Sequence, residues 1–447
     1  MKIDAILIYI SEIIWSDWLI FTFLAIGVFF TLITGFIQIR KFPTAVKEVF
    51  LKKETNEETS NLDGDITSLQ ALFIALSSCI GNGNIVGVAT SLMAGGPGAI
   101  FWMWVASILG CATKYAEIVI GMVYREKNEN DKYVGGPLYY ISNGLGSKFL
   151  ASLFAILLVI QSSGGNLIQS NALANSAKEL FKLPNSLSAI ILSLAIGVII
   201  IGGINTLSKM AEKLVPLMSF LYLTGGLAII ILNFTSLKYA FSLILSAAFT
   251  PQAGVGGFVG YSVKSAMKYG ISRGLYSNEA GEGSAPAIHA SAKVDFPARQ
   301  GLYGIMEVSI DTLVCTITAL SILLTGVVSI GYPPETLTIQ AFSTIHPIFK
   351  YVVGICMILF AYTSIPVQWH LGNMALEYLI GVKKSNIYKY LFIAFSFIGC
   401  VSTTDNLWAL MDIILGIMII PNLISIVYLS PVVVKETRIF FNITSKR

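Results

Sequence analysis

Two polar, glycine-rich runs interrupt long apolar stretches of this sequence, and their residue types could bind a small charged molecule. The first run, 77–87, carries two asparagines among glycines, and the second, 276–286, carries two glutamates among glycines and ends in a proline. Glycine and proline weaken helices, so both runs predict breaks where backbone groups lose their helical partners. Free amides at a half-helix N-terminus attract a carboxylate, while free carbonyls suit a bare cation.

The composition places these two runs inside a membrane. The chain of 447 residues is 55% hydrophobic and 12% charged, with a mean hydropathy of +0.75, whereas soluble domains are about 25% charged. So few charges cannot cover a water-facing surface, and the sequence therefore predicts an all-α polytopic membrane protein. The net charge of +4 gives no indication of nucleic-acid binding, and the five cysteines lie in apolar stretches, which argues against a disulfide framework.

Apolar stretches of about 20 residues predict eleven transmembrane helices. They lie near 17–37, 67–94, 97–123, 148–176, 185–203, 211–233, 254–290, 300–328, 348–380, 387–403 and 406–433. Basic residues concentrate in alternate loops, beginning with the loop after the first span, so this side is predicted to be cytoplasmic. The N-terminus then lies outside and the C-terminus inside.

When the first span is set aside, each break falls in the first helix of a set of five. An odd number of helices per half gives the halves opposite orientations, the arrangement of inverted-repeat transporters with a midplane site. The predicted parts are an extra N-terminal helix with its loop (1–66), a first repeat (67–233), a second, inverted repeat (254–433) and a tail (434–447). Close helix packing through glycines is the alternative explanation. It does not readily explain the asparagines and acids beside those glycines.

Charged residues inside predicted spans are costly, and function is the first hypothesis for them. Lys114 and Glu117 lie three residues apart on one helix face and are predicted to pair with each other. Glu307 and Asp311 share the face of another helix, where like charges need a cation, a proton or a basic partner.

Several motifs are similar to those of the alanine or glycine:cation symporter family. They are 95–104, 114–117, 135–140, 277–281, 311–312 and 377–381, and they cover essentially the whole chain. The resemblance implies a leucine-transporter-type (APC) inverted 5+5 repeat with one extra N-terminal helix and two broken helices. It also implies import of a small neutral amino acid, typically alanine or glycine, driven by Na⁺ through a prokaryotic cell (inner) membrane.

Three positions depart from the usual pattern of that family. Asn82 stands where threonine is common, Glu282 where leucine or methionine is usual, and Gln368 where the family tends to have tryptophan. The glutamine predicts a larger and more polar site than alanine needs. Glu282 and His370 could take up protons, so a proton-coupled or broader-specificity amino-acid transporter is the first alternative. A sensor that binds an amino acid without moving it is the second.

The breaks and the resemblance together nominate the binding residues. The substrate candidates are Gly81, Asn82, Gly83, Asn84, Gln169, Tyr276, Asn278, Gly281 and Gln368. Among them, Gln169 matches a family glutamine, and the others line the breaks or the predicted side-chain pocket. The resemblance places sodium between the first break and the eighth core helix, which nominates Ser78, Gly81, Thr363 and Ser364. No nucleophile–base pair, metal-spaced cluster or nucleotide-binding run indicates an enzyme or an organic cofactor.

Overall fold

The chain is built from helices joined by short turns, as the composition predicts. A computed structural model describes residues 3–51, 62–81, 83–250, 262–403 and 405–444. The α-helices are Ile3–Ile14, Asp17–Ile33, Ile37–Arg40, Phe42–Val46, Ser68–Cys79, Val88–Gly95, Gly98–Val123, Pro137–Tyr139, Lys148–Phe181, Asn185–Leu232, Phe234–Phe249, Val263–Asn278, Ser284–His289, Pro297–Thr325, Pro334–Ser343, Phe349–Ile380, Val382–Ser385, Ile387–Val401, Asp405–Tyr428 and Ser430–Thr444. Short π-helical segments are Lys47–Leu51, Gly83–Gly87 and Tyr140–Gly144, a 3-10 turn is Val327–Ile330, and the strands are Ile66–Thr67, Glu126–Lys127, Tyr133–Val134 and Ala292–Lys293.

Seven helices of the described residues are long and apolar enough to cross a membrane. They are Tyr9–Ile33, Gly98–Val123, Lys148–Phe181, Asn185–Leu232, Pro297–Thr325, Phe349–Ile380 and Leu407–Tyr428. Ser68–Cys79 and Gly83–Gly95 meet the same criteria as a pair that is bent by 52°. The chain is therefore a multi-pass membrane protein. The count of eleven spans and the division into repeats at 67–233 and 254–433 stay predictions.

Glycine conformations explain two differences from the predicted spans. The helix Asn185–Leu232 covers both 185–203 and 211–233, and Gly203 (φ 65°, ψ −159°) leaves helical geometry between them. The first predicted span, 17–37, corresponds to helix Asp17–Ile33, which together with residues 9–16 forms the candidate membrane span Tyr9–Ile33. It ends early because Gly35 and Phe36 both have positive φ values, which an α-helix cannot continue through.

Apolar side chains lie on the outer surface in large number as well as in the core, and several charged side chains are buried. Leu194, Val198 and Ile201 point outward from one helix with 68, 70 and 73% of their surfaces exposed, whereas Lys114 and Glu307 are fully buried. Lipid tails accept exposed apolar side chains, and charged groups are stable only where protein encloses them. The helices therefore have apolar, lipid-facing surfaces and enclose a few charged groups within a largely apolar interior.

One end of the bundle joins the two broken segments directly. Strand Ile66–Thr67 precedes the first broken segment and pairs in parallel with strand Ala292–Lys293, which follows the second. The Arg125 guanidinium donates to the carbonyls of Ala290 (3.0 Å), Ala292 (2.7 Å) and Asp63 (3.0 Å). Burial lowers the pKa of Arg125, but a guanidinium stays protonated in proteins. This contact fixes the two segments relative to each other at this end.

Candidate functional site

The first broken helix consists of Ser68–Cys79 and Gly83–Gly95, and Asn84 supports the gap between them. Ile80 has an extended backbone (φ −77°, ψ 105°). The Oδ1 atom of Asn84 accepts a hydrogen bond from the amide of Gly81 at 2.8 Å, and its Nδ2 donates to Oδ1 of Asp311 at 2.6 Å. Asn84 is fully buried, so its side chain both shapes the break and anchors it to helix Pro297–Thr325. The predicted substrate residue Asn82 lies outside the described residues.

The second broken helix consists of Val263–Asn278 and Ser284–His289, and its turn requires glycine. Glu279, Gly281 and Gly283 have φ values of 52°, 87° and 86°. A Cβ atom at position 281 would lie 2.6 Å from Phe23, and one at position 283 would lie 2.3 Å from Pro137. Both distances are too short for any side chain, so these glycines allow the close approach as well as the left-handed turn.

The two breaks meet at the carboxylate of Glu279. Ser78, near the end of helix Ser68–Cys79, donates to Oε1 of Glu279 at 2.8 Å. Ser284, the first residue of helix Ser284–His289, donates to Oε2 of the same carboxylate. Cys79 also contacts the carbonyl of Asn278 at 3.7 Å. Glu279 was not among the predicted site residues. An acid inside a predicted break was the signal that could have identified it.

A buried ion pair supports the second break from behind. The ammonium of Lys114 lies 3.0 Å from Oε1 of Glu307 and donates to the carbonyl of Glu279 at 3.1 Å. The predicted pair of Lys114 with Glu117 is wrong, because the lysine extends across to Glu307 on another helix. Gln300 Nε2 lies 2.6 Å from His289 Nδ1, so the amide donates there and His289 Nε2 donates to Glu307 at 3.3 Å.

Glu117 instead binds the turn of the second break. Its Oε2 accepts from the amide of Gly281 at 2.9 Å, and its Oε1 accepts from Nδ2 of Asn422 at 2.6 Å. Asn422 also donates to the carbonyl of Gly281 at 2.8 Å and accepts from the hydroxyl of Tyr140. Gly281 therefore has both backbone groups bound by protein. Asn422, an amide inside an apolar span, was another residue that the sequence analysis missed.

The predicted sodium residues lie on both sides of the first break. The Ser364 hydroxyl oxygen lies 2.7 Å from the carbonyl of Ser77 and 2.8 Å from that of Phe360, and its single hydrogen is donated to one of them. Thr363 Oγ1 donates to the same Phe360 carbonyl at 3.1 Å. Ser364 thus brings its hydroxyl oxygen beside carbonyl oxygens of two helices, and hard cations prefer such oxygen ligands. The Ser78 hydroxyl points away from this group, toward Glu279.

The predicted substrate residues occupy two regions. A Cβ atom at Gly81 would meet only Ser364 Oγ, at 3.8 Å, and one at Gly165 would meet Gln368, at 3.5 Å. Gln169 lies one helical turn after Gly165 and is half-buried. Gly81 and Gly165 therefore both border helix Phe349–Ile380.

The other substrate candidates lie around the second break. The Asn278 amide accepts from Ala280 at 3.0 Å and lies against Gly110, where its buried Nδ2 has no partner among the described residues. A Cβ atom at Gly83 would lie 3.3 Å from Ser277. Tyr276 lies two residues before Asn278, in the last turn of helix Val263–Asn278. The structure therefore does not bring the Asn278 side chain to the space near Gly81.

The two candidate proton-binding residues lie in different surroundings. Glu282 is buried within the second break and interacts with Glu279 and Glu117. His370 lies six residues beyond Ser364, about 9 Å along the same helix. Asp65 is the acid whose negative charge acts on the His370 ring.

Comparison with known proteins adds evidence to this geometry. The model of the sodium:alanine symporter family matches residues 1–447. The sodium/alanine symporter AgcS of Methanococcus maripaludis is 38% identical over 96% of this chain and 96% of its own. The putative sodium/proton-dependent alanine carrier protein YrbD of Bacillus subtilis is 34% identical over 94% of this chain and 89% of its own. The probable sodium/glutamine symporter GlnT of the same species is 33% identical over 95% of this chain and 87% of its own.

Solved structures give the fold. MhsT in complex with L-phenylalanine matches with a TM-score of 0.52 and 14% identity, over 82% of this chain and 99% of that one. The Eremococcus coleocola manganese transporter, bound to an aromatic bis-isothiourea compound, matches with a TM-score of 0.54 and 15% identity, over 82% of this chain and 80% of that one. Both are leucine-transporter-type folds, so the predicted fold type is confirmed.

Proposed function

This chain belongs to the sodium:alanine symporter family, and we propose that it imports a small neutral amino acid together with Na⁺ by alternating access. The observation that carries the proposal is the meeting of two broken helices beside a cluster of hydroxyl and carbonyl oxygens. Broken helices supply backbone groups for both ends of a zwitterion and for a cation without placing fixed charges in the membrane.

The substrate carboxylate is proposed to bind at the first break. The amide of Gly81 already donates to Asn84, so Asn84 acts as a positioning residue in this proposal and the backbone around Asn82 and Gly83 binds the carboxylate. Gly81 borders the space beside Ser364. Carbonyls of the second break, together with Gln169, would then face the ammonium. Tyr276 and Gln368 would line the pocket for the side chain.

Sodium is proposed to bind where Ser364, Thr363 and the Ser77 carbonyl converge. Replacing Ser364 with alanine removes one hydroxyl oxygen from this group and leaves the helix intact. We expect S364A to raise the Na⁺ concentration for half-maximal uptake by about tenfold. A tenfold change in affinity corresponds to the loss of one interaction of about 1.4 kcal/mol. The measurement is uptake of labelled alanine at increasing Na⁺ concentration in proteoliposomes.

S425A is the matched control for that variant. Ser425 is also fully buried, but its hydroxyl donates to the carbonyl of Pro421 within its own helix, at 2.7 Å, and to no other helix among the described residues. An unchanged Na⁺ dependence in S364A, or an equal shift in S425A, would remove Ser364 from the ion site.

Gln368 is proposed to set the range of substrates. Tryptophan at this position would fill the space beside Gly165. We therefore expect Q368W to keep uptake of glycine and alanine, and we expect the glutamine concentration needed to inhibit that uptake to rise at least tenfold. Q368L, which removes the polar group with little change in length, separates size from polarity. Unchanged selectivity in Q368W contradicts a pocket position for Gln368.

Proton coupling through Glu282 or His370 is the second candidate mechanism. It is favoured by a buried acid within the second break and by the name of the relative YrbD. Uptake of labelled alanine, glycine, serine and glutamine under an imposed Na⁺ gradient and, separately, an imposed proton gradient distinguishes the two mechanisms. Accumulation driven by protons without Na⁺ would overturn the sodium proposal. Binding without counterflow of label would favour a sensor.

A further inference from the structure

A groove of about 480 Å³ lies outside the transport site, where the first long helix ends. Its walls are Ile33, Ser430, Pro431, Val434, Lys435, Arg438 and Ile439. It therefore lies between the end of span Tyr9–Ile33 and the C-terminal helix Ser430–Thr444. The end of a transmembrane helix marks the depth of the lipid headgroups.

The C-terminal helix separates its polar and apolar faces in a way that leaves this groove open. Val433, Thr437 and Phe440 are buried against the protein, and Thr437 bonds the hydroxyl of Tyr115 at 2.8 Å. Lys435 and Arg438, three residues apart on the other side, are exposed. An amphipathic helix with basic residues on its outer face is typical of a membrane interface.

The basic groups of the groove lack acidic partners. Within the described part of the chain, no carboxylate lies within ion-pair distance of Lys435 or Arg438. Glu436, the acid between them in sequence, forms no ion pair with either of them in that part of the chain. The groove thus combines apolar walls with unneutralised positive charge.

We propose that this groove binds an anionic glycerophospholipid, with the phosphate at Lys435 and Arg438 and an acyl chain along Ile33, Val434 and Ile439. Charge complementarity selects an anionic headgroup over a zwitterionic one, because each basic side chain near an anionic surface contributes about fivefold to binding. The apolar walls select a lipid over a soluble phosphate. The site is separate from the proposed transport function and does not depend on it.

The test measures lipid retention by native mass spectrometry of the full-length protein in detergent. Delipidated protein is titrated with phosphatidylglycerol, with phosphatidylcholine of the same acyl chains, and with glycerol phosphate. We expect phosphatidylglycerol to bind preferentially. In the double variant K435Q/R438Q we expect its affinity to fall by about 25-fold, the product of two fivefold effects.

K383Q/K384Q is the control, since both lysines are exposed at the end of another helix and lie outside the groove. The charge-retaining variant K435R/R438K should bind as the parent protein does. Equal retention of the two lipids, unchanged binding in K435Q/R438Q, or an equal loss in the control would each overturn the proposal. Binding of glycerol phosphate as tight as that of the lipid would show a phosphate site instead.

Discussion

Replacing Lys114 with methionine is expected to destabilise this protein by about 3–5 kcal/mol and to abolish uptake. The lysine is the cation that neutralises Glu307, at 3.0 Å, and both side chains are completely buried. Removing one partner of a buried pair leaves an uncompensated charge in a low-dielectric interior. The Glu279 carbonyl, at the turn of the second break, loses its donor at the same time. Thermal unfolding in detergent and uptake in proteoliposomes measure the two effects.

A second substitution should restore stability to the Lys114 variant. In K114M/E307Q neither member of the ion pair is left without its partner, and the glutamine oxygen can still accept from His289, so we expect most of the lost stability to return. Uptake should recover less, because the Glu279 carbonyl still lacks its donor. K264M is the control for losing a lysine, because Lys264 pairs with Asp17 at 2.7 Å but its side chain is 73% exposed. Such exposed pairs contribute about 1 kcal/mol or less to the free energy of unfolding. Equal destabilisation of K114M and K264M would contradict a central role for the buried pair.

The sequence predicted where the site lies better than it predicted what each side chain contacts. The membrane class followed from composition, and the two breaks followed from Gly81, Gly83, Gly281 and Gly283, because helix propensity is local. Motifs over most of the chain indicated the family. These inferences need no knowledge of which helices are neighbours.

Contacts between helices could not be predicted from local spacing. Lys114 and Glu117 are neighbours on one helix face, and pairing them was the natural expectation. In the structure Lys114 contacts Glu307, and Glu117 contacts Gly281, because the interior brings helices distant in sequence to within 3 Å of these groups. Intramembrane acids predicted a need for partners. The fold decides which partners they find.

Asn84 shows the same distinction within a single predicted site residue. Its position in the first break followed from the sequence, and a role as a substrate ligand was the hypothesis. In the structure, the Asn84 side chain accepts a hydrogen bond from the amide of Gly81 and donates one to the carboxylate of Asp311. Few hydrogen-bonding groups remain for a ligand, and the residue instead determines how the break is held.

Asn84→Asp is therefore expected to lose uptake and to destabilise the protein by on the order of 3 kcal/mol. The substitution replaces the amide donor with a second carboxylate at 2.6 Å from Asp311, so a charge-assisted hydrogen bond becomes a repulsion. Asp311→Asn alone should be milder, because an amide can turn its oxygen toward Asn84. Thermal unfolding and alanine uptake compare the variants.

The exchange N84D/D311N gives the sharpest test of this contact. An aspartate at position 84 can still accept from the amide of Gly81, and an asparagine at 311 can donate to it, so the same hydrogen bond forms with donor and acceptor reversed. The Ser277 hydroxyl, which now donates to Asp311 at 2.9 Å, can turn to accept. We expect the exchange to recover most of the stability and part of the uptake lost in N84D. If N84D and the exchange are equally inactive while both fold normally, the asparagine amide itself is required, and Asn84 binds substrate rather than positioning the break.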